Sequence, residues 1–195
     1  MQKLIRITKF AILAILILSI PYIEKAMAQF NPSNLSRIRL ALSNGGEYMP
    51  GLDATSAGSS ISYTLDTFGV GYTTSTVSTK DSSDLEEKLT SNVLDLSVMT
   101  GMDRFTFQAG YGWLLSHKWK HETKDTTTNS SEGGGGFFNV GFQLGILELI
   151  GGYRVWSILY NVNKSWYDSR NRAKSSDEKG QLAYKEMYLG IGYIF

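Results

Sequence analysis

The sequence predicts an all-β fold: an eight-stranded antiparallel up-and-down barrel that crosses a membrane with its strands. Three observations lead there. Apolar and polar residues alternate with a period of two in eight segments of roughly 8–12 residues, the length that crosses a bilayer at a tilt. The connections alternate between long polar stretches and short turns. Charge gathers in the long connections, while several polar strand faces hold only small or amide-bearing residues that suit a narrow interior.

Residues 1–28 read as an export signal that is cleaved off, not as structure. Lys3, Arg6 and Lys9 form a basic start, and Phe10 to Ile20 is an apolar run broken only by Ser19. Pro21 and a short polar stretch then lead to Ala26-Met27-Ala28, a small-x-small pattern just before Gln29. The apolar run falls well short of the roughly 20 residues of a spanning helix. Residues 29–195 are then one barrel domain. The signal carries away Lys3, Arg6, Lys9 and Lys25 against Glu24, which leaves the domain with 15 basic and 17 acidic residues. That balance gives no reason to expect nucleic-acid binding. The absence of cysteine excludes lipoprotein processing and a disulfide framework.

The eight strands follow in order. Ile38, Leu40 and Leu42 alternate with Arg37, Arg39, Ala41 and Ser43, and a polar connection runs from about 45 to 58. Ile61, Tyr63 and Leu65 share a face; the phase then slips at Asp66-Thr67, and Phe68, Val70 and Tyr72 continue, which marks a tight turn. A charged connection over 79–88 precedes Leu94, Leu96 and Val98, with Asp95 on the opposite face. After a turn near 100–104, Phe105, Phe107, Ala109, Tyr111 and Trp113 oppose Thr106, Gln108, Gly110 and Gly112. A long connection over 116–135 leads to Phe138, Val140, Phe142 and Leu144. A turn near Leu147-Glu148 leads to Leu149, Gly151, Tyr153 and Val155, with Arg154 on the other face. The most charged connection, 160–182, precedes Met187, Leu189, Ile191, Tyr193 and Phe195.

Alternation by itself fits a soluble lipocalin-like barrel with the faces reversed. Against that reading, the polar faces lack the Lys and Glu that keep a wet sheet soluble. Aromatic residues also sit near strand ends as membrane-interface anchors. Phe68, Phe105, Tyr193 and Phe195 lie toward the short turns; Tyr72, Trp113, Phe137 and Tyr160 lie toward the long connections.

The terminal run from Met187 to Phe195, with its final aromatic, resembles the C-terminal signature of bacterial outer-membrane barrels. Together with Gly152-Tyr153-Arg154, the chain is similar to the small opacity-type and OmpX/OmpA-type barrels. The resemblance implies an outer-membrane location with both termini periplasmic. It also implies recognition of the last strand by the barrel-assembly machinery, and contact with outer-membrane lipid and lipopolysaccharide. No peptidoglycan-binding domain is expected after the last strand.

The candidate site is a lumen polar network of Arg37, Arg39, Asp95, Arg154 and Glu186, since isolated buried charges are expensive. It is expected to plug the barrel and not to line a pore. Ser116, His117, His121 and Glu122 supply the residue types of a lipid A-modifying hydrolase, but Ser116 precedes His117 directly instead of following a His by two. The segment is expected to be a polar loop stem with Trp119 as an interface anchor. Two histidines in a loop do not make a metal site, and Gly133 to Gly136 lacks the residues of a phosphate cradle. The basic stretches 118–124 and 164–174 are candidates for lipopolysaccharide head groups or an external partner. No cofactor, metal or catalytic residue is expected, and nothing names the external partner. The expected role is a non-enzymatic scaffold displaying four polar loops for adhesion, partner binding or envelope integrity. A narrow OmpW-like channel, a lipid A-modifying enzyme and a soluble lipocalin-like barrel are the alternatives.

Overall fold

The computed structural model describes residues 36–47, 54–80, 85–167 and 170–195; the expected export signal, residues 1–28, lies outside the described residues. They form eight strands: β1 (Arg37–Glu47), β2 (Thr55–Leu65), β3 (Phe68–Lys80), β4 (Glu86–Met102), β5 (Phe105–His121), β6 (Asp125–Leu144), β7 (Leu147–Tyr167) and β8 (Ala173–Ile194). Each strand pairs antiparallel with its sequence neighbours, and β1 pairs with β8 to close the barrel. Reciprocal backbone bonds between Ser36 and Phe195, both 3.0 Å, finish that seam.

One end carries three two-residue turns, Asp66-Thr67, Asp103-Arg104 and Gly145-Ile146. The first residue of each takes a positive φ, 54°, 53° and 69° in turn. Asp and Gly tolerate that conformation, which is why these positions reverse the chain tightly. The third turn lies earlier than the alternation suggests, so Glu148 belongs to β7 instead of to a turn.

At the other end the strands run much further than expected. β5 continues to His121 and β6 resumes at Asp125, so most of the expected 116–135 loop is sheet. β7 and β8 take up nearly all of 160–182, and β2 to β4 take part of 45–58 and 79–88. The expected long loops are largely strand extensions. Sequence alternation misses them because it follows an apolar outer face, and that face stops partway up.

Below that height, Leu40, Leu42, Ile61, Tyr72, Leu96, Phe138, Leu149, Met187, Leu189 and Ile191 are exposed on the outside. Arg37, Arg39, Asp95, Thr106 and Gln108 are buried inside. This is the reverse of a lipocalin-like distribution. On β8 the belt runs from Phe195 up to Met187, about 26 Å along the strand and about 20 Å along the axis at a ~40° tilt. A ring of polar residues caps it, including Asn44, Ser59, Thr74, Asn92, Ser116, Ser157 and Lys185. Side-chain bonds join Thr74 to Asn92 (3.1 Å) and Asn92 to Ser116 (3.0 Å).

Above the ring the sidedness inverts. Val77, Leu89, Val93, Trp119, Ile158, Val162, Leu182 and Tyr184 form a buried core inside the barrel. Polar residues such as Thr76, Thr90, Lys88, Lys118 and Gln181 face out. The upper half is thus packed like a water-soluble barrel and the lower half like a lipid-embedded one.

Candidate functional site

Going up the lumen from the turn end, the first layer centres on Arg39 of β1 and Glu148 of β7. The guanidinium binds the carboxylate as a fork, Nε to Oε2 and Nη2 to Oε1, both at 2.8 Å. Nη1 also donates to Gln108 Oε1 (2.6 Å) and Nη2 to Thr106 Oγ1 (2.8 Å), while the Thr106 hydroxyl donates to Glu148. Glu148 is completely buried. Gly141 and Gly192 leave room for it, since a Cβ at either would collide with its carboxylate. Arg37 lies alongside, with Nη1 3.3 Å from Met99 Sδ.

The next layer pairs Arg154 of β7 with Asp95 of β4 at 2.8 Å. Thr73 donates to the same carboxylate oxygen at 2.6 Å. The Arg154 guanidinium sits against three rings, Phe137 at 4.6 Å, Trp156 at 4.5 Å and Tyr188 at 5.2 Å. Glu186, opposite Arg154 in the β7–β8 register, accepts from Trp156 Nε1 (3.2 Å) and from Ser75. The five residues expected in the lumen therefore all lie there, in two layers, but only Arg154 and Asp95 pair with each other; Arg39 takes Glu148, and Glu186 accepts from Trp156 and Ser75. Glu148, the partner of Arg39, escapes the sequence reading because the alternation places a turn on it. The cavity lined by Arg39, Ser60, Asp95, Gln108, Asn139, Arg154 and their neighbours is about 20 Å³, room for about one water molecule.

Above these layers lies the apolar core, and above that a charged cap. Lys164 of β7 binds Glu87 of β4, with His121 Nε2 3.6 Å from the same carboxylate oxygen. The Thr123 backbone N–H donates to His121 Nδ1 at 3.2 Å, which leaves Nε2 as the ring nitrogen facing Glu87. Lys164 also lies over the Trp119 ring at 5.3 Å, and Trp119 packs on Tyr160 at 4.8 Å.

His121 and Trp119 reach the cap because β5 changes phase. In the β4–β5 register Val93 faces Leu114 and Asn92 faces Ser116, so Leu115 is an extra, bulged residue. Before it, even-numbered residues such as Thr106, Gln108 and Gly112 point inward; after it, His117, Trp119 and His121 do. Trp119 is thus a core residue, 5% exposed, and not an interface anchor. Phe137 and Tyr160 likewise face the interior. The bulge sends Ser116 outward and His117 inward, so these two candidate catalytic residues do not meet. Among the described residues no cluster of three potential metal ligands occurs.

Of the expected interface aromatics, Phe68, Phe105, Tyr193 and Phe195 are exposed around the turn end. Phe195 stacks on Tyr63 (6.4 Å) and Tyr193 (6.0 Å), and Phe105 packs on Phe142 (5.2 Å). Trp113 is half-buried near the polar ring, edge-on to Tyr111 at 4.9 Å.

No protein-family model matches the chain, and no curated protein matches it in sequence. Solved structures do match in fold. Neisserial surface protein A superposes with a TM-score of 0.55 at 14% identity, covering 83% of this chain and 96% of that one. A major outer membrane protein from Thermus thermophilus gives 0.50 at 13% identity, covering 82% of this chain and 99% of that one. The fold is that of the small outer-membrane β-barrels.

Proposed function

We propose that this chain is a non-enzymatic outer-membrane barrel, a sealed scaffold whose rim carries binding or structural functions outside the cell. The observation that carries the reading is the inversion of sidedness at the polar ring. A continuous belt of exposed Leu, Ile, Val, Phe and Tyr is stable against hydrocarbon and a liability in water. Above it the outer surface turns polar and the interior turns apolar, as a wet extension of the same barrel requires. On β8 that extension runs from Lys185 to Ala173, about 30 Å along the axis at a ~40° tilt.

In this reading an export signal at residues 1–28 and the even strand count favour periplasmic termini and short turns, with the tall end outside. Met187 to Phe195 would engage the barrel-assembly machinery. Outer-membrane lipid and lipopolysaccharide would surround the belt. Adhesion, partner binding and envelope integrity all fit a rigid wall standing clear of the membrane.

The filled lumen weighs against the narrow-channel alternative, because two ion-paired layers, an apolar core and a charged cap lie in series along the axis. The separation of Ser116 from His117 weighs against the lipid-modifying enzyme. The test is fractionation with gel mobility before and after boiling. A faster unboiled band in the outer-membrane fraction is expected; a single band in the soluble periplasmic fraction would overturn the reading. In planar bilayers the refolded protein is expected to be silent. Steady conductance steps would replace the scaffold with the channel.

A further inference from the structure

We propose that the outer wall of β4 and β5, where Lys88, Lys118 and Lys120 emerge together, binds the phosphate of an acylated anionic lipid in the outer leaflet. This deepens the membrane reading above and rests on it. The geometry begins at the Leu115 bulge. Without the extra residue, the even-numbered positions of β5 would keep pointing into the lumen and carry Lys118 and Lys120 with them. The bulge turns both lysines outward, immediately above the polar ring.

The three cations are close neighbours. Lys120 lies directly opposite Lys88, and Lys118 is opposite Thr90, two residues along. With strands about 4.8 Å apart and about 6.8 Å between alternate residues, the three stems leave an area of about 5 by 7 Å. Like charges directly opposite on a sheet are destabilising unless an anion lies between them. Lys88 reaches Glu86 at 2.9 Å, with both side chains about half exposed. Among the described residues Lys118 and Lys120 have no carboxylate partner. Glu122, two residues beyond Lys120 in the sequence, is turned to the backbone, where its Oε2 accepts from the Glu86 N–H at 3.3 Å.

Below the lysines the wall presents the remaining parts of an amphiphile in order. Asn92 and Ser116 form an amide–hydroxyl step, and beneath it lie Leu115, 58% exposed, and the Trp113–Tyr111 pair. Anionic head, polar linkage and acyl chain are therefore met at successive heights. A soluble phosphorylated ligand would use the first of these but not the last. On β8 another basic pair of the rim, Lys174 and Lys179, has Asp177 between its members along the strand.

The experiment uses the full barrel refolded in neutral detergent and titrated with diphosphorylated lipid A, its dephosphorylated form and inorganic phosphate. Binding is read by native mass spectrometry, and folding by the boiling-dependent gel shift. The wild-type barrel is expected to retain the diphosphorylated lipid. The triple variant K88Q/K118Q/K120Q should bind it at least tenfold more weakly with its gel shift unchanged, while K174Q/K179Q behaves as wild type. Equal binding by the triple variant would overturn the site. Equal retention of the dephosphorylated lipid would overturn phosphate recognition. Displacement by millimolar inorganic phosphate would assign the site to a free anion instead of a lipid. A wild-type barrel without a gel shift would overturn the membrane reading itself, a failure separate from these.

Discussion

At Arg39 the burden of burying charge and the means of meeting it are both visible. Its fork to Glu148, with Thr106 and Gln108 on the remaining sites, leaves neither ion unpaired in a lumen closed to solvent. Replacing Arg39 by alanine strands a fully buried carboxylate. The expected loss is about 3–5 kcal/mol of unfolding free energy, read from urea titration of the gel shift. R39M/E148L removes both charges and should recover much of that loss. The inward direction of Arg39 was legible from its alternation with Ile38 and Leu40. Its partner was not, because nothing in a single strand's pattern says which residue faces it across the lumen. Gly145, the one position there suited to a positive φ, marks the turn and so moves Glu148 into β7.

Among the elements, β5 is the most informative. One inserted residue decides what both of its faces do above the polar ring: Trp119 and His121 enter the interior, and Lys118 and Lys120 leave it. Deleting Leu115 should send the lysines into an apolar core, and no heat-modifiable band is expected on refolding; Leu115→Gly keeps the count and should fold. The belt strands make a second prediction. Leu40 and Ile191 are paired near mid-belt, so arginine at either should cost about 2–4 kcal/mol in lipid-refolded protein. At Met187, by the polar ring, the same change should cost about 0–1 kcal/mol. A flat response with depth would show that lipid does not contact this face. The lower part of each strand was legible because most of its apolar residues face out, with exceptions such as Met99, Phe137 and Tyr188. The upper parts were hidden because the apolar set changes parity: Tyr72 is outward but Val77 inward, Leu94 outward but Leu89 inward. A change of parity reads as the end of a strand.

On the scale of the whole molecule, the barrel is two environments on one sheet. The lower half has apolar side chains outside and ion pairs inside; the upper half has polar side chains outside and an apolar core inside. The ring from Asn44 to Lys185 marks the junction. Substitutions in the upper core, such as Ile158→Ala, are expected to destabilise by about 2–5 kcal/mol as in any packed interior, and to leave the bilayer silent. Appearance of conductance in that variant would identify the upper core as the seal. The closing seam also governs timing. Arg37 pairs with Ile194, so the first strand waits for nearly the whole chain before its second neighbour exists. Until β8 arrives, β1 and the latest strand are both open edges able to recruit other chains. A partly delivered chain thus needs a temporary neighbour at each edge, and completion of the last strand, more than collapse of any core, is the event that makes the molecule safe.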